Sequence, residues 1–180
     1  MMRPLGGGRI GTMAEGRARP RYSRCMNGLQ AHLILLLHEL AHGPDLAADY
    51  GHFSEPGSGL LPTLKCLNAA QVSVQVAPGR PPLAAYVAHL AQHLTFAADQ
   101  LGGAVEYPDF AAPWQVQAVS ESEWQHSQQE LHAAFVAVQA VLQRRELESE
   151  ELNVAQTALI HAATHAGALR FHALNLSAQR

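Results

Sequence analysis

The sequence predicts an all-α protein, a four-helix bundle behind a disordered N-terminal tail, and three observations carry that expectation. Four segments place apolar residues at three- and four-residue intervals, the spacing of one helix face. Strand-like alternation of β-branched residues is scarce, and no internal repeat is present. Glycine and proline clusters such as Gly43-Pro44, Pro78–Pro82 and Gly102-Gly103 punctuate the chain between those segments. A chain of 180 residues, 48% hydrophobic and 15% charged, is the usual size of one globular domain with a buried core.

Residues 1–26 are rich in glycine and arginine without periodicity, so the domain is expected to span 27–177, with Met13 or Met26 as alternative starts. A net charge of −3 offers no electrostatic argument for nucleic acid or an acidic membrane surface. No apolar run approaches the roughly 20 residues of a spanning helix. Cys25 and Cys66 make no disulfide framework, which fits a reduced, cytoplasmic setting. The 11 histidines stand out, because imidazole is the commonest protein metal ligand.

The first helix is expected over 27–42, with Leu29, Leu33, Leu36, Leu37 and Leu40 on one side and Gly43-Pro44 as its stop. It contains HELAH, His38 to His42, the His-Glu-x-x-His pattern of zinc peptidases. In those enzymes two histidines bind zinc, the glutamate activates water, and a third ligand follows downstream. Asp45 and Ala48 occupy the offsets where the extended motif needs glycine and histidine, and Glu55 and Glu106 are badly spaced as a third ligand. Glu39 and His42 are therefore expected at the surface or in helix packing. From Pro44 to Pro82 runs a long connection with a short leucine segment at Leu60–Leu67 and a helical turn starting at Asn68, a candidate lid or specificity element.

The second helix is expected over 81–101, opened by Pro81-Pro82 and carrying Tyr86, Leu90, Leu94, Phe96, Ala97 and Leu101. His89 and His93 lie one turn apart on it. The proline-punctuated linker 104–120 brings Tyr107, Phe110 and Trp114 to cover one end of the bundle. The third helix, 121–145, begins with Ser120 three residues before Glu123, a capping-box spacing. Trp124, Leu131, Phe135, Val138 and Leu142 are its apolar stripe.

The fourth helix, 149–175, follows the acidic segment Leu147–Leu152, with Ser149 as a candidate cap. His161 and His165 sit four residues apart, which stacks two imidazoles on one helix face about 6 Å apart. Leu159, Ile160, Leu169, Phe171, Leu174 and Leu176 are its apolar positions. Gly167 and Ala162, Ala163, Ala166 and Ala168 would let a neighbouring helix come close. Bundles build metal sites from side chains projecting inward on facing helices. The natural set is one histidine of the second helix with His161 and His165, three ligands with open positions. Imidazoles suit zinc, nickel, copper or iron, and the sequence does not choose among them; zinc or nickel is the expectation carried forward.

Three segments in this order, AAYVAHLAQHL at Ala84–Leu94, WQVQAVSESEW at Trp114–Trp124 and HAATHAGALR at His161–Arg170, resemble the DinB-like four-helix-bundle superfamily. That superfamily includes the bacillithiol- and mycothiol-dependent S-transferases. The resemblance covers roughly Met26 to Ser177. It implies an up-down-down-up bundle, often dimeric, with a divalent metal at one end. It also implies His89 as the helix-two ligand beside His161 and His165, leaving His93 outside. The 44–62 loop and the HELAH segment depart from the family pattern.

The leading functional expectation is a metal-dependent, thiol S-transferase-like enzyme joining a low-molecular-weight thiol such as bacillithiol to an electrophile. Arg170, Arg80 and Lys65 are the few basic residues available to hold an anionic cofactor, with Arg170 put forward. A non-catalytic metal-binding or dimerising stress-response protein is the alternative, and the HELAH peptidase comes third. A homodimer is expected, with Leu33, Leu37, Phe135 and Val138 contributing to its interface, since so apolar a bundle exceeds what four helices bury between themselves.

Overall fold

Apolar periodicity resolves into six helices and one short 3-10 turn in a computed structural model that describes residues 28–44, 51–104 and 106–177. They are α1 (Gly28–His42), α2 (Leu60–Lys65), α3 (Ala69–Val72), α4 (Leu83–Leu101), α5 (Glu121–Arg144) and α6 (Ser149–Ser177), with the 3-10 turn at Ala112–Gln115. The four long helices match the expected ones to within a residue or two. Secondary structure is all-α, with an isolated bridge between Gln75 and Pro82. The expected disordered tail lies outside the described residues.

Helix α4 packs chiefly against α5 and also against α6, while α1 packs against both α5 and α6. The shared core holds Ile34, Leu37, Leu90, Leu94, Phe135 and Leu142 from these helices, all essentially inaccessible to solvent. Burying each such side chain contributes roughly 1.5–3 kcal/mol. Leu33, Leu37, Phe135 and Val138, expected at a dimer interface, are instead consumed by this core. Part of the apolar content inferred from composition is buried under the two extra helices, while Ile160, Phe171 and Leu174 stay exposed.

Those helices come from the long connection. Leu60, Leu61, Leu64 and Leu67 are buried, so this half of the connection is part of the core rather than a lid. Asn68 caps α3 through a reciprocal pair with Gln71, which is the helical turn expected there. Trp124, fully buried on α5, donates its indole N–H to the Leu67 carbonyl at 2.9 Å, and Glu121 accepts the Ala69 N–H at 3.0 Å. These bonds fasten the connection to α5.

Helix ends follow from local chemistry. Gly43 ends α1 with φ +90, where a side chain would be strained. Pro82 sits at the N-terminal cap of α4. Ser120 and Glu123 form the capping box of α5. Helix α6 is capped one residue earlier than expected: the Leu152 N–H bonds Glu148 O, and the Glu148 N–H bonds the Glu151 carboxylate, while Ser149 is already helical. Gln30, buried on α1, closes the turn between α5 and α6. Its amide donates to Leu142 O at 2.5 Å and Arg145 O at 2.7 Å, and its oxygen accepts from Leu147 N at 2.9 Å.

Two expectations about side-chain direction are corrected. Glu39 is buried, not at the surface. It accepts the backbone N–H groups of His52 at 2.8 Å, Phe53 at 2.9 Å and Ser54 at 2.8 Å, besides the Ser54 hydroxyl at 2.9 Å. It is thus a loop anchor rather than a helix-packing residue. On α6, Ala162, Ala166 and Leu169 face the core, but Ile160, Phe171 and Leu174 are exposed, and a Cβ on Gly167 would meet nothing within 4 Å. The close approach expected at Gly167 is therefore absent among the described residues.

Candidate metal centre

The geometry of α4 against α6 brings the two helical histidine pairs face to face. On α4, His89 is buried among Leu90, Ala85 and Val87, which point the same helix into the core. On α6, the alternation of Ala162 and Ala166 with His161 and His165 leaves room for both imidazoles at the contact with α4. His89 lies 5.2 Å from His161 and 4.9 Å from His165, ring centre to ring centre, and His161 lies 4.5 Å from His165. One ligand nitrogen from each of these three residues falls within 4.8 Å of the others. The structure thus brings together His89, His161 and His165.

His93 is adjacent but placed differently. Its ring stacks on His161 at 4.0 Å with 29° between planes, and its other ring neighbours are His89 at 4.5 Å and Phe110 at 4.6 Å. Trp114 lies 4.3 Å from His89, and Tyr86 lies 5.1 Å from Trp114 and 6.1 Å from His165. The linker that carries Phe110 and Trp114 is held to α4 by Gln92, whose amide donates to Asp109 O at 3.1 Å. Phe110 and Trp114 therefore wall the histidine cluster, whereas Tyr107 packs on Phe96 and is largely exposed.

Electrostatics favour neutral imidazoles. Burial, and then the neighbouring His93, His165 and His161, push His89 down to about 4. Burial, and then His161 and His165, push His93 down to about 4 as well. His161 is lowered by burial, and His165 by burial and by His161. A neutral imidazole has a free lone pair, which is the form that ligates metal. Nδ1 of His89 and Nε2 of His161 are buried without a hydrogen-bond partner. Leaving such an atom unpaired costs about 1–3 kcal/mol, which a bound ion would offset. The residues present fit a divalent ion.

The basic residues expected near a cofactor are elsewhere. Arg170 lines a cavity of about 700 Å³ with the Gly51–Ser58 loop, and Lys65 lines another beside His42. Arg80 is exposed on the loop before α4. The cavity that opens at His161 and His93, about 290 Å³, is lined by Phe96, Val154, Ala158, Gln100 and Asn153 among others, with no charged side chain.

Sequence spacing signalled the two histidine pairs but not His132, which approaches His42 to 6.0 Å from α5. His126 and His132 of α5 are six residues apart, a spacing that puts them on different faces and carries no signal. No family model matches the chain, and no curated protein or solved structure matches it. Among the described residues, no helix is long and apolar enough to cross a membrane.

Proposed function

We propose that the chain is a DinB-like bundle of up-down-down-up topology in which His89, His161 and His165 hold one divalent ion, zinc or nickel. In this reading it joins a low-molecular-weight thiol such as bacillithiol to a small electrophile, as a homodimer. The observation that carries the reading is the convergence of three neutral imidazoles from two helices, two of them with orphaned nitrogens. A divalent ion bound there would stabilise a thiolate, the nucleophilic form of a thiol.

The chain's own residues do the rest. Trp114 and Phe110 keep water from one side of the imidazoles. Gln92 holds those aromatics in place through Asp109. The cavity shared by His161 and His93 offers Phe96 and Val154 to an apolar body and the amides of Gln100 and Asn153 to a polar end. Its lack of charge suits an uncharged electrophile.

The same lack of charge favours the second reading, a non-catalytic metal-binding or dimerising stress-response protein. Neither Arg170 nor Lys65 lines the histidine cavity to hold an anionic thiol. Metal analysis of the purified protein, followed by thiol-conjugation assays with the metal present, decides between them. Metal-dependent conjugation lost in His161→Ala supports the transferase. Bound metal without conjugation across a panel of thiols supports the second reading.

A further inference from the structure

The HELAH segment is not absorbed by the histidine cluster between α4 and α6, and its surroundings have a metal chemistry of their own. Helix α1 presents His38 and His42 on one exposed face, with ring centres 4.8 Å apart. Helix α5, which packs against α1, brings His132 to 6.0 Å from His42. The corresponding separations among His89, His161 and His165 run from 4.5 to 5.2 Å. Imidazoles sharing one ion place their nitrogens about 2.0–2.1 Å from it, which puts ring centres roughly 4.5–5.5 Å apart, so the α1 pair already lies in range and His132 must move slightly closer. His38, His42 and His132 are all exposed, so each ring can change rotamer without disturbing the core.

We infer that His38, His42 and His132 form a second site, for a divalent transition-metal ion of the zinc or nickel class. It lies at the α1–α5 contact, apart from His89, His161 and His165 on α4 and α6. The site has no peptidase chemistry. A zinc peptidase needs the motif's glutamate beside the metal to activate water, whereas Glu39 is buried and engaged by His52, Phe53 and Ser54. The α1 histidines are thus separated in direction from the one carboxylate that would make them catalytic. Lys65, which shares a cavity of about 420 Å³ with His42 and His132, opposes a cation there. Its exposed ammonium can turn to solvent, but it makes the second site the weaker of the two.

Titration of zinc into the chelator-treated full chain, followed by calorimetry and equilibrium dialysis, tests this. The expected result is two equivalents for the wild type, in a tighter and a weaker step. His132→Ala and His42→Ala should each lose the weaker step and keep the tighter one. His161→Ala should lose the tighter step and keep the weaker, which separates this site from the proposed function. All three residues of the second site are exposed, so folding of the variants is checked simply by circular dichroism. A wild type with no zinc step that depends on His42 would overturn the inference, whereas a single step lost in His42→Ala and His132→Ala but kept in His161→Ala would overturn only the proposed function. A weaker step untouched by His132→Ala would also overturn the inference, since it would leave an α1 pair acting alone.

Discussion

Trp114 stands 4.3 Å from His89, ring centre to ring centre, although one belongs to an irregular linker and the other to the interior of α4. The indole covers one side of the imidazole that converges with His161 and His165, and burial is the first cause of the lowered His89 pKa. Truncating Trp114 to alanine should raise the His89 pKa toward the ordinary value near 6.5 and cost about 1–3 kcal/mol of stability. Proton NMR titration of the imidazoles of the metal-free protein reads the first effect and urea unfolding the second. An unchanged His89 titration would show that burial by the helices alone lowers it.

The pH dependence of stability follows from the same burial. His89 and His93 titrate near 4 in the fold, against about 6.5 in an unfolded chain. As pH falls, the unfolded chain takes up these protons first. The stability they contribute is complete above about pH 6.5 and is lost as pH falls toward 4. The urea midpoint of chelator-treated protein should decline across that window. A midpoint that stays level from pH 7 to pH 4 contradicts the buried neutral state.

Replacing His161 with alanine should remove the tighter metal equivalent, because two remaining imidazoles hold a divalent ion weakly. His93→Ala should keep it, since His93 stacks on His161 rather than converging with the other three. Equilibrium dialysis of both variants gives the answer directly. Tight binding that survives in His161→Ala but disappears in His93→Ala would reverse the assignment.

Glu39 should prove structural. Burial alone would raise its pKa, but hydrogen bonds from the Phe53 and His52 backbone, the Ser54 hydroxyl and the His52 ring outweigh it and hold the carboxyl at about 2. Its stabilising effect is therefore present above about pH 4.5 and lost as pH falls toward 2. Glu39→Gln should cost about 1–3 kcal/mol while leaving the tighter metal equivalent and any metal-dependent activity intact. Gly51→Ala should damage the same loop, because a Cβ there would come within 2.6 Å of the Glu39 carboxylate and 2.2 Å of Ser54 O. Loss of activity in a folded, metal-loaded Glu39→Gln protein would revive the peptidase reading.

A homodimer, if formed, should use α6. Ile160, Phe171 and Leu174 are 58%, 63% and 68% exposed, whereas the leucines of α1 first expected at an interface are buried. Light scattering at low concentration should give twice the 19.4 kDa of one chain, falling to 19.4 kDa in Phe171→Glu. A wild-type mass of 19.4 kDa removes the dimer from the proposal.

The sequence by itself determined the four long helices, the capping of α5 at Ser120, the short turn capped by Asn68, and the histidine pairs. Each of these rests on residues within a turn or two of one another, where helix geometry converts spacing directly into a shared face. It also placed an aromatic linker at the end of the helices, since proline breaks and three rings are local features.

Only the tertiary structure decided which faces point inward. Leu37 and Ile160 are equally apolar in the sequence, yet one is fully buried and the other 58% exposed, because helix neighbours, not composition, supply the cover. The same holds for Glu39, whose donors come from a loop 13 to 15 residues away. It holds for His132, which meets His42 only because α5 lies against α1. Arg170 is the last case: it is five residues beyond His165, but α6 turns it toward the Gly51–Ser58 loop and away from the histidine cavity. Long-range pairing carries no periodicity to read, so these relationships exist only once the helices have packed.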